Sequence, residues 1–114
     1  MSETQLVKVA LDFLRMRQVL AWRANSGARV IPAKNGHARA VIQLSPPGTP
    51  DILGVVPGTS GQLFGFEAKS PKGKQRPSQV TWQREAELRG VRYAVVRSLD
   101  DVREKMEEWT GEPY

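Results

Sequence analysis

Residues 50–69 of the chain read PDILGVVPGTSGQLFGFEAK, and this stretch decides the fold. Two largely apolar runs, at 51–56 and 62–69, flank a five-residue loop of proline, glycine, threonine and serine. Glycine and proline in so short a connection favour a turn between two neighbouring strands. The stretch therefore predicts an antiparallel hairpin.

The register of this hairpin follows from its loop. If the loop is centred on Thr59, residues equally distant from it pair with each other, and Asp51 lies opposite Glu67. Side chains two residues apart on a strand share a face, so Glu67 and Lys69 project together, away from Ala68. Directly paired carboxylates lie about 4.5–5.5 Å apart at Cβ and destabilise a sheet unless their charge is neutralised.

This acidic pair predicts a site for a hard divalent cation. Mg²⁺ prefers oxygen ligands and is commonly held by one or two carboxylates together with phosphate oxygens of a substrate. Asp51, Glu67 and the backbone carbonyl of Ala68 are the candidate ligands. Such an ion supports phosphodiester hydrolysis, in which Lys69 would orient the attacking water or stabilise the charged phosphate. The alternative is that Pro50-Asp51 is a turn and that Glu67 and Lys69 form an exposed ion pair on an edge strand.

Composition limits the class of protein. The chain has 114 residues, 39% hydrophobic and 25% charged, which suits one soluble domain spanning residues 1–114. No apolar run reaches the roughly 20 residues of a membrane helix, and no signal peptide is apparent, so an intracellular, cytoplasmic protein is expected. Absence of cysteine excludes thiolate chemistry, and the formal charge of +5 favours a polyanionic partner such as nucleic acid.

The rest of the chain predicts helices around a sheet. A capping pattern at Ser2 and Gln5 begins a helix over residues 3–19, and a second helix begins near Arg76 or Ser78 and ends at Arg89. The expected strands outside the hairpin are 21–23, 29–31, 38–44 and 91–97, and a third helix follows Ser98. The nearly continuous apolar strand 91–97 is expected to lie centrally in the sheet. The fold class is α/β, a mixed sheet flanked by helices in the order α-β-β-β-α-β-α.

Several motifs together resemble the virus-type replication and repair nuclease domain, VRR-NUC, of the PD-(D/E)xK superfamily. The resemblance runs over most of the chain and rests on Glu3, Trp22-Arg-Ala-Asn-Ser-Gly27, Pro50-Asp51, Gly65-Phe-Glu-Ala-Lys69, Gln79, Trp82 and Val95-Val-Arg-Ser-Leu-Asp-Asp-Val102. One departure is Arg76-Pro77-Ser78-Gln79, where the family pattern has Ser-Pro before the glutamine.

This resemblance implies a restriction-endonuclease-like fold and a DNA endonuclease that depends on Mg²⁺ or Mn²⁺. It implies that Glu3 joins Asp51 and Glu67 at the metal, that Lys69 is catalytic, and that Gln79 supports the site. It further implies a homodimer acting on branched or junction DNA in replication, recombination or repair.

Other residues are candidates for contact with nucleic acid. Lys72, Lys74 and Arg76 lie in a loop where they would meet backbone phosphates, and a merely solvated loop is the alternative. A further set of polar residues would extend that surface: Arg23, Asn25, Arg29, Lys34 and Arg39. The single histidine, His37, is interpreted as a loop residue. The three tryptophans, Trp22, Trp82 and Trp109, are expected to pack in a core or interface rather than to stack on bases.

Two other functions are consistent with the same residues. A nucleic-acid-binding module with a structural acidic pair would bind in a salt-sensitive way that is indifferent to metal. A protein-interaction domain of a repair or replication complex would have no affinity for DNA at low salt.

Overall fold

The hairpin at 50–69 supplies the two middle strands of a mixed four-stranded sheet. The computed structural model describes residues 1–24 and 45–114, together with the backbone of two strands at 28–32 and 39–43. The elements in chain order are α1 (Glu3–Met16), β1 (Ala21–Arg23), β2 (Ala28–Pro32), β3 (Arg39–Gln43), β4 (Ile52–Val55), β5 (Leu63–Ala68), α2 (Pro77–Leu88), β6 (Arg92–Val96) and α3 (Leu99–Thr110).

The main sheet has the strand order β1-β4-β5-β6. β1 and β5 both pair antiparallel with β4, whereas β6 pairs parallel with β5. A parallel pair needs a crossover connection, which α2 provides. This sheet and its helices follow the predicted order α-β-β-β-α-β-α, while β2 and β3 form a separate two-stranded antiparallel sheet. The protein is thus an α/β domain with a mixed sheet flanked by helices.

The hairpin has the predicted register. Ile52 pairs with Phe66 and Val55 with Leu63, so Asp51 and Glu67 are the next two positions of the same ladder. The loop is closed by Thr59, whose Oγ1 donates to the Val56 carbonyl at 2.5 Å and accepts from the Gln62 amide at 3.1 Å. Gly61 has a φ of +95°, which a residue with Cβ rarely adopts. The chemistry of the loop therefore fixes which residues face each other at the open end of the hairpin.

One face of the sheet forms the hydrophobic core with α1 and α3. Phe64 and Phe66 are fully buried there, and the indole of Trp109 stacks on Phe66 with ring centroids 5.2 Å apart. α1 contributes an apolar stripe, which consists of Leu6, Val7, Ala10, Leu11 and Leu14. Burial of each large side chain contributes about 1.5–3 kcal/mol. The opposite face, which carries Gly65 and Glu67, is left for the functional side chains and α2.

The helix ends differ slightly from the predictions. The capping box of Ser2 and Gln5 is confirmed, but α1 ends at Met16 rather than at residue 19 because Gln18 has a φ of +60°. This left-handed residue reverses the chain, so that Val19 returns to the core. The N-cap of α2 is Arg76, with Pro77 as the first helical residue, where proline's missing N–H is not needed.

The expectation that the strand at 91–97 lies centrally is wrong. β6 is an edge strand of the sheet. Tyr93, Ala94 and Val96 are nevertheless buried, because α2 and α3 pack on its two faces. The apolar sequence of β6 thus indicates that helices cover both of its faces, and it does not indicate that β6 has a strand on each side. No helix in the described ranges is both long and apolar enough to cross a membrane.

Candidate functional site

The loop before Asp51 is held against both the sheet and α2. Pro50 is buried over Gly65, where an added Cβ would come within 2.8 Å of the Pro50 ring. Gly48, with a φ of +83°, lies so close to α2 that an added Cβ would stand 2.1 Å from the Ser78 carbonyl oxygen. These two contacts explain why proline and glycine occur here, and they fix where the chain enters Asp51.

Asp51 and Glu67 meet on the face of the sheet opposite the core. The Ala68 amide donates to Asp51 Oδ2 at 2.8 Å, and the Asp51 carbonyl accepts from the Ala24 amide at 2.8 Å. Glu67 is 2% exposed, and its side chain forms a hydrogen bond with that of Asp51. The predicted juxtaposition of the two carboxyl groups is confirmed, although a backbone amide binds one of them.

Glu67 is protonated at neutral pH in this arrangement. Burial raises the pKa of its carboxyl group to about 9, with further contributions from the hydrogen bond to Asp51 and from the charge of Asp51. Lys69 and Arg76 lower the pKa of Glu67 but do not offset the burial. The protonated Glu67 therefore donates a hydrogen bond to Asp51, and its proton removes the like-charge repulsion between the two carboxyl groups. Oε2 of Glu67 has no hydrogen-bond partner within the described part of the chain.

Lys69 lies beside this pair. It follows the last residue of β5, its amide donates to the Val96 carbonyl at 3.0 Å, and its side chain is 7% exposed overall. Lys69 interacts electrostatically with Glu67, as the shared strand face requires. A buried cation next to two carboxyl groups is the arrangement expected from the Glu-x-Lys spacing.

The start of α2 brings two more predicted residues to the site. Gln79 is 1% exposed, and its Oε1 accepts from the Arg76 amide at 2.8 Å, so it caps the helix from within. Arg76 itself is exposed but lies near enough to Glu67 to act on its charge. Arg76 thus belongs to the surroundings of the acidic pair, whereas Lys72 and Lys74 are exposed in the preceding loop.

Glu3 contacts the end of β5 rather than its carboxyl pair. The side chain is exposed at the first residue of α1, and Oε1 accepts from the Ser70 amide at 3.1 Å. Among the described residues no three or more acidic, histidine or cysteine side chains form a group that could hold a metal ion. The structure therefore brings Asp51, Glu67 and Lys69 together and places Glu3 at the adjoining loop.

Arg97 is a residue of this region that sequence reasoning missed. Its Nη1 donates to the carbonyls of Ser70 at 2.6 Å and Gly73 at 2.8 Å, with a longer contact to Pro71 at 3.4 Å. The loop that carries Lys72 is thereby fastened to the end of β6. The parallel register could have revealed it, because Ala68 pairs with Val96 and the next positions are Lys69 and Arg97.

The far end of the same loop is held by Gln75. Its Nε2 donates to the Tyr93 hydroxyl at 3.1 Å and to Gln83 Oε1 at 2.9 Å. Burial raises the pKa of Tyr93 to about 12, and the hydrogen bond from Gln75 works against this rise. The phenol is therefore neutral and structural, and the basic loop is anchored at both ends.

The three tryptophans differ in how deeply they are packed. Trp109 packs on the core and Trp82 lies against Tyr93 with ring centroids 5.9 Å apart, as predicted. Trp22 differs, because its exposed fraction is 39%. The remaining candidates, Asn25, Lys34 and His37 and the side chains of Arg29 and Arg39, lie outside the described residues.

Comparison of the chain with protein-family models, with curated proteins and with solved structures finds no match.

Proposed function

We propose that the chain is a divalent-metal-dependent nuclease that hydrolyses phosphodiester bonds of DNA, with a restriction-endonuclease-like fold. One observation carries this proposal: Asp51 and Glu67 converge on one face of the sheet beside the buried Lys69. Two carboxyl groups and an amine at one strand end suit the handling of a phosphate and a water. The likeness to the VRR-NUC pattern supports the same conclusion.

The residues present fit Mg²⁺ or Mn²⁺. Oε2 of Glu67 is a buried oxygen without a hydrogen-bond partner among the described residues, and such an atom calls for an explanation. The Ala68 amide donates to Asp51, so the backbone of Ala68 lies beside this carboxyl group. Mg²⁺ needs few protein ligands because it retains several waters. Asp51, the Ala68 carbonyl and Glu67, which would release its proton on binding, would therefore hold the ion.

The bound cation would supply a more acidic water and a counter-charge for the phosphate. The protein's own residues would do the rest. Lys69, held by the sheet, would stabilise the negative charge that accumulates on the phosphoryl oxygens. Arg76, Lys72 and Lys74 would contact neighbouring phosphates, which gives affinity without reading bases. Gln79 would act indirectly, by capping α2 and so positioning Arg76.

Cleavage of a panel of DNA structures tests this function. Purified protein with Mg²⁺ or Mn²⁺ is incubated with linear, flapped, forked and four-way DNA. The wild type is expected to cut at least one of them, and Asp51→Asn, which keeps an oxygen for the Ala68 amide, is expected to lose cleavage. Glu104→Gln, at an exposed position on α3, is the matched control. A wild type that leaves every substrate intact with both metals would refute the nuclease assignment.

A second candidate is a nucleic-acid-binding module in which the acidic pair is structural. It is favoured by the hydrogen bond from the Ala68 amide to Asp51, in which the carboxylate acts as an acceptor for the backbone. This module would bind DNA in a salt-dependent manner that neither metal nor Asp51→Asn alters. The homodimer and the branched or junction substrate are parts of the nuclease proposal that rest on the resemblance. Sedimentation of the purified chain and the same cleavage panel test them.

A further inference from the structure

A groove of about 400 Å³ opens on the surface of the domain. It runs between β1, the loop at 45–50 and α2, and its walls include Trp22, Arg23, Leu53 and Trp82. None of the described residues that line it is acidic. Its size falls in the range of sites that take small organic groups.

Strand pairing places this groove next to the proposed reaction site. Trp22 pairs directly with Leu53, and Asp51 lies two residues before Leu53, immediately ahead of β4. Trp22 is therefore the diagonal neighbour of Asp51, at about 7–8 Å in such a ladder. The hydrogen bond from the Ala24 amide to the Asp51 carbonyl holds β1 in this position. The indole and the carboxyl pair thus occupy one face of the sheet.

Trp22 and Trp82 differ in how far their indole rings are packed against other side chains. The ring of Trp82 is packed against Tyr93, and this contact fixes one wall of the groove. Trp22 is one of the large apolar side chains that the described surface exposes, and no ring contact engages its indole among the described residues. A solvent-facing indole has the chemistry of a stacking platform for nucleobases.

We propose that this groove receives an unpaired nucleobase of the bound polynucleotide, stacked on Trp22. This inference rests on the proposed function, whose substrate it makes more specific: a strand with an unpaired nucleotide close to the scissile phosphate. Bases inside a duplex present no free ring face, so a continuous duplex would leave the groove unused. A single-stranded segment, a flap or an unpaired end would fill it.

Binding measured without divalent metal tests the groove independently of cleavage. A fluorescein-labelled single strand of mixed sequence and the matching duplex are titrated with the full chain in the presence of EDTA. Trp22→Ala is expected to weaken binding of the single strand about 5-fold to 100-fold while leaving duplex binding unchanged. Trp22→Phe retains a ring and should restore most of the affinity. Leu88→Ala removes a more exposed apolar side chain on α2 and serves as the control.

A single abasic nucleotide in the strand sharpens the test. Placed in turn at successive positions, it should weaken binding of the wild type at one position and have no such effect on Trp22→Ala. Equal single-strand affinity of wild type and Trp22→Ala would overturn the proposal, as would wild-type indifference to the abasic position. If the groove instead binds an apolar peptide, single-strand binding by the wild type would likewise not depend on the position of the abasic nucleotide.

The two proposals can fail separately. If Trp22→Ala cleaved single-stranded and duplex substrates with metal as efficiently as the wild type does, the nuclease would be retained and the groove rejected. A preference for single strands that depends on Trp22, without any cleavage of the DNA panel, would retain the groove and reject the nuclease.

Discussion

The side chains of Glu67 and Asp51 are joined by a hydrogen bond in which the glutamic acid is the donor. Burial is the main cause, because it disfavours the charged form of Glu67 more strongly than Lys69 and Arg76 favour it. A proton therefore neutralises the pair that the sequence predicts to be neutralised by a cation. This protonation links the stability of the fold to pH.

Glu67 is expected to make the protein less stable as pH rises. The carboxyl pKa is about 9 in the folded chain and 4.5 for the ordinary side chain, so the folded state binds the extra proton between these values. The contribution of Glu67 is thus complete below pH 4.5 and is lost as pH approaches 9, with a slope of up to about 1.4 kcal/mol per pH unit. Urea unfolding of the metal-free protein at several pH values measures this slope.

The variant Glu67→Gln isolates this contribution, because an amide also donates to Asp51 but does not titrate. Its stability relative to the wild type should increase with pH over the same window. Other groups titrate equally in both proteins, so they cancel in the difference. Parallel pH profiles for the two proteins would show that Glu67 is not the group responsible.

A second prediction concerns the Asp51 side chain as a backbone acceptor. Asp51→Ala leaves the Ala68 amide without the acceptor it now has at 2.8 Å, and unfolding should become about 1–3 kcal/mol easier. Asp51→Asn keeps an acceptor oxygen and should stay within about 1 kcal/mol of the wild type. Denaturant melts of both variants at one pH give the comparison. Equal destabilisation by Ala and Asn would mean that charge, and not the hydrogen bond, is what the fold requires.

The part of this site that sequence could predict depended on local signals. The short loop around Thr59 determines the register of the hairpin, and the register determines that Asp51 faces Glu67. Capping patterns likewise located the starts of α1 and α3, where Ser2 and Ser98 accept from amides three residues ahead. Each of these relationships joins residues near in sequence or linked by a tight turn.

What escaped prediction depends on contacts between distant segments. The carbonyl acceptors of Arg97 lie 24 to 27 residues before it, and Glu3 binds the amide of Ser70 from the other end of the chain. Protonation of Glu67 follows from burial, which only the assembled layers produce. The edge position of β6 was missed for a related reason. The apolar sequence of β6 reflects the helices that cover its two faces, and it carries no information on whether a second strand pairs with it.

A third prediction tests whether Pro50 and Gly65 fit each other sterically. Gly65→Ala places a methyl group about where the Pro50 ring now lies, since the ideal Cβ would be 2.8 Å from its Cγ. Destabilisation of about 1–3 kcal/mol is expected, because a packed interior accommodates an added methyl poorly. The double variant Gly65→Ala with Pro50→Ala should recover part of this loss, and strictly additive losses would contradict direct steric contact.

A fourth prediction is that Arg97 protects the basic loop from proteolysis. Arg97→Ala removes the donor to the carbonyls of Ser70 and Gly73, so the loop should open more often. Limited digestion with trypsin, followed by mass spectrometry, should show faster cleavage after Lys72 and Lys74. Arg92→Ala, which removes an exposed arginine from the other end of β6, is the matched control. Unchanged cleavage rates in Arg97→Ala would show that the loop is held by other contacts.

The last prediction separates two roles for Glu3. As a support for the loop, Glu3 needs only an oxygen that accepts from the Ser70 amide, and Glu3→Gln provides one. As a metal ligand it needs its negative charge, which glutamine lacks. The exposed position of Glu3 favours the supporting role. We therefore expect Glu3→Gln to keep both tryptic protection at Lys72 and calorimetric Mn²⁺ affinity, whereas Glu3→Ala loses the protection. Loss of Mn²⁺ affinity in Glu3→Gln with an intact loop would instead identify Glu3 as a ligand.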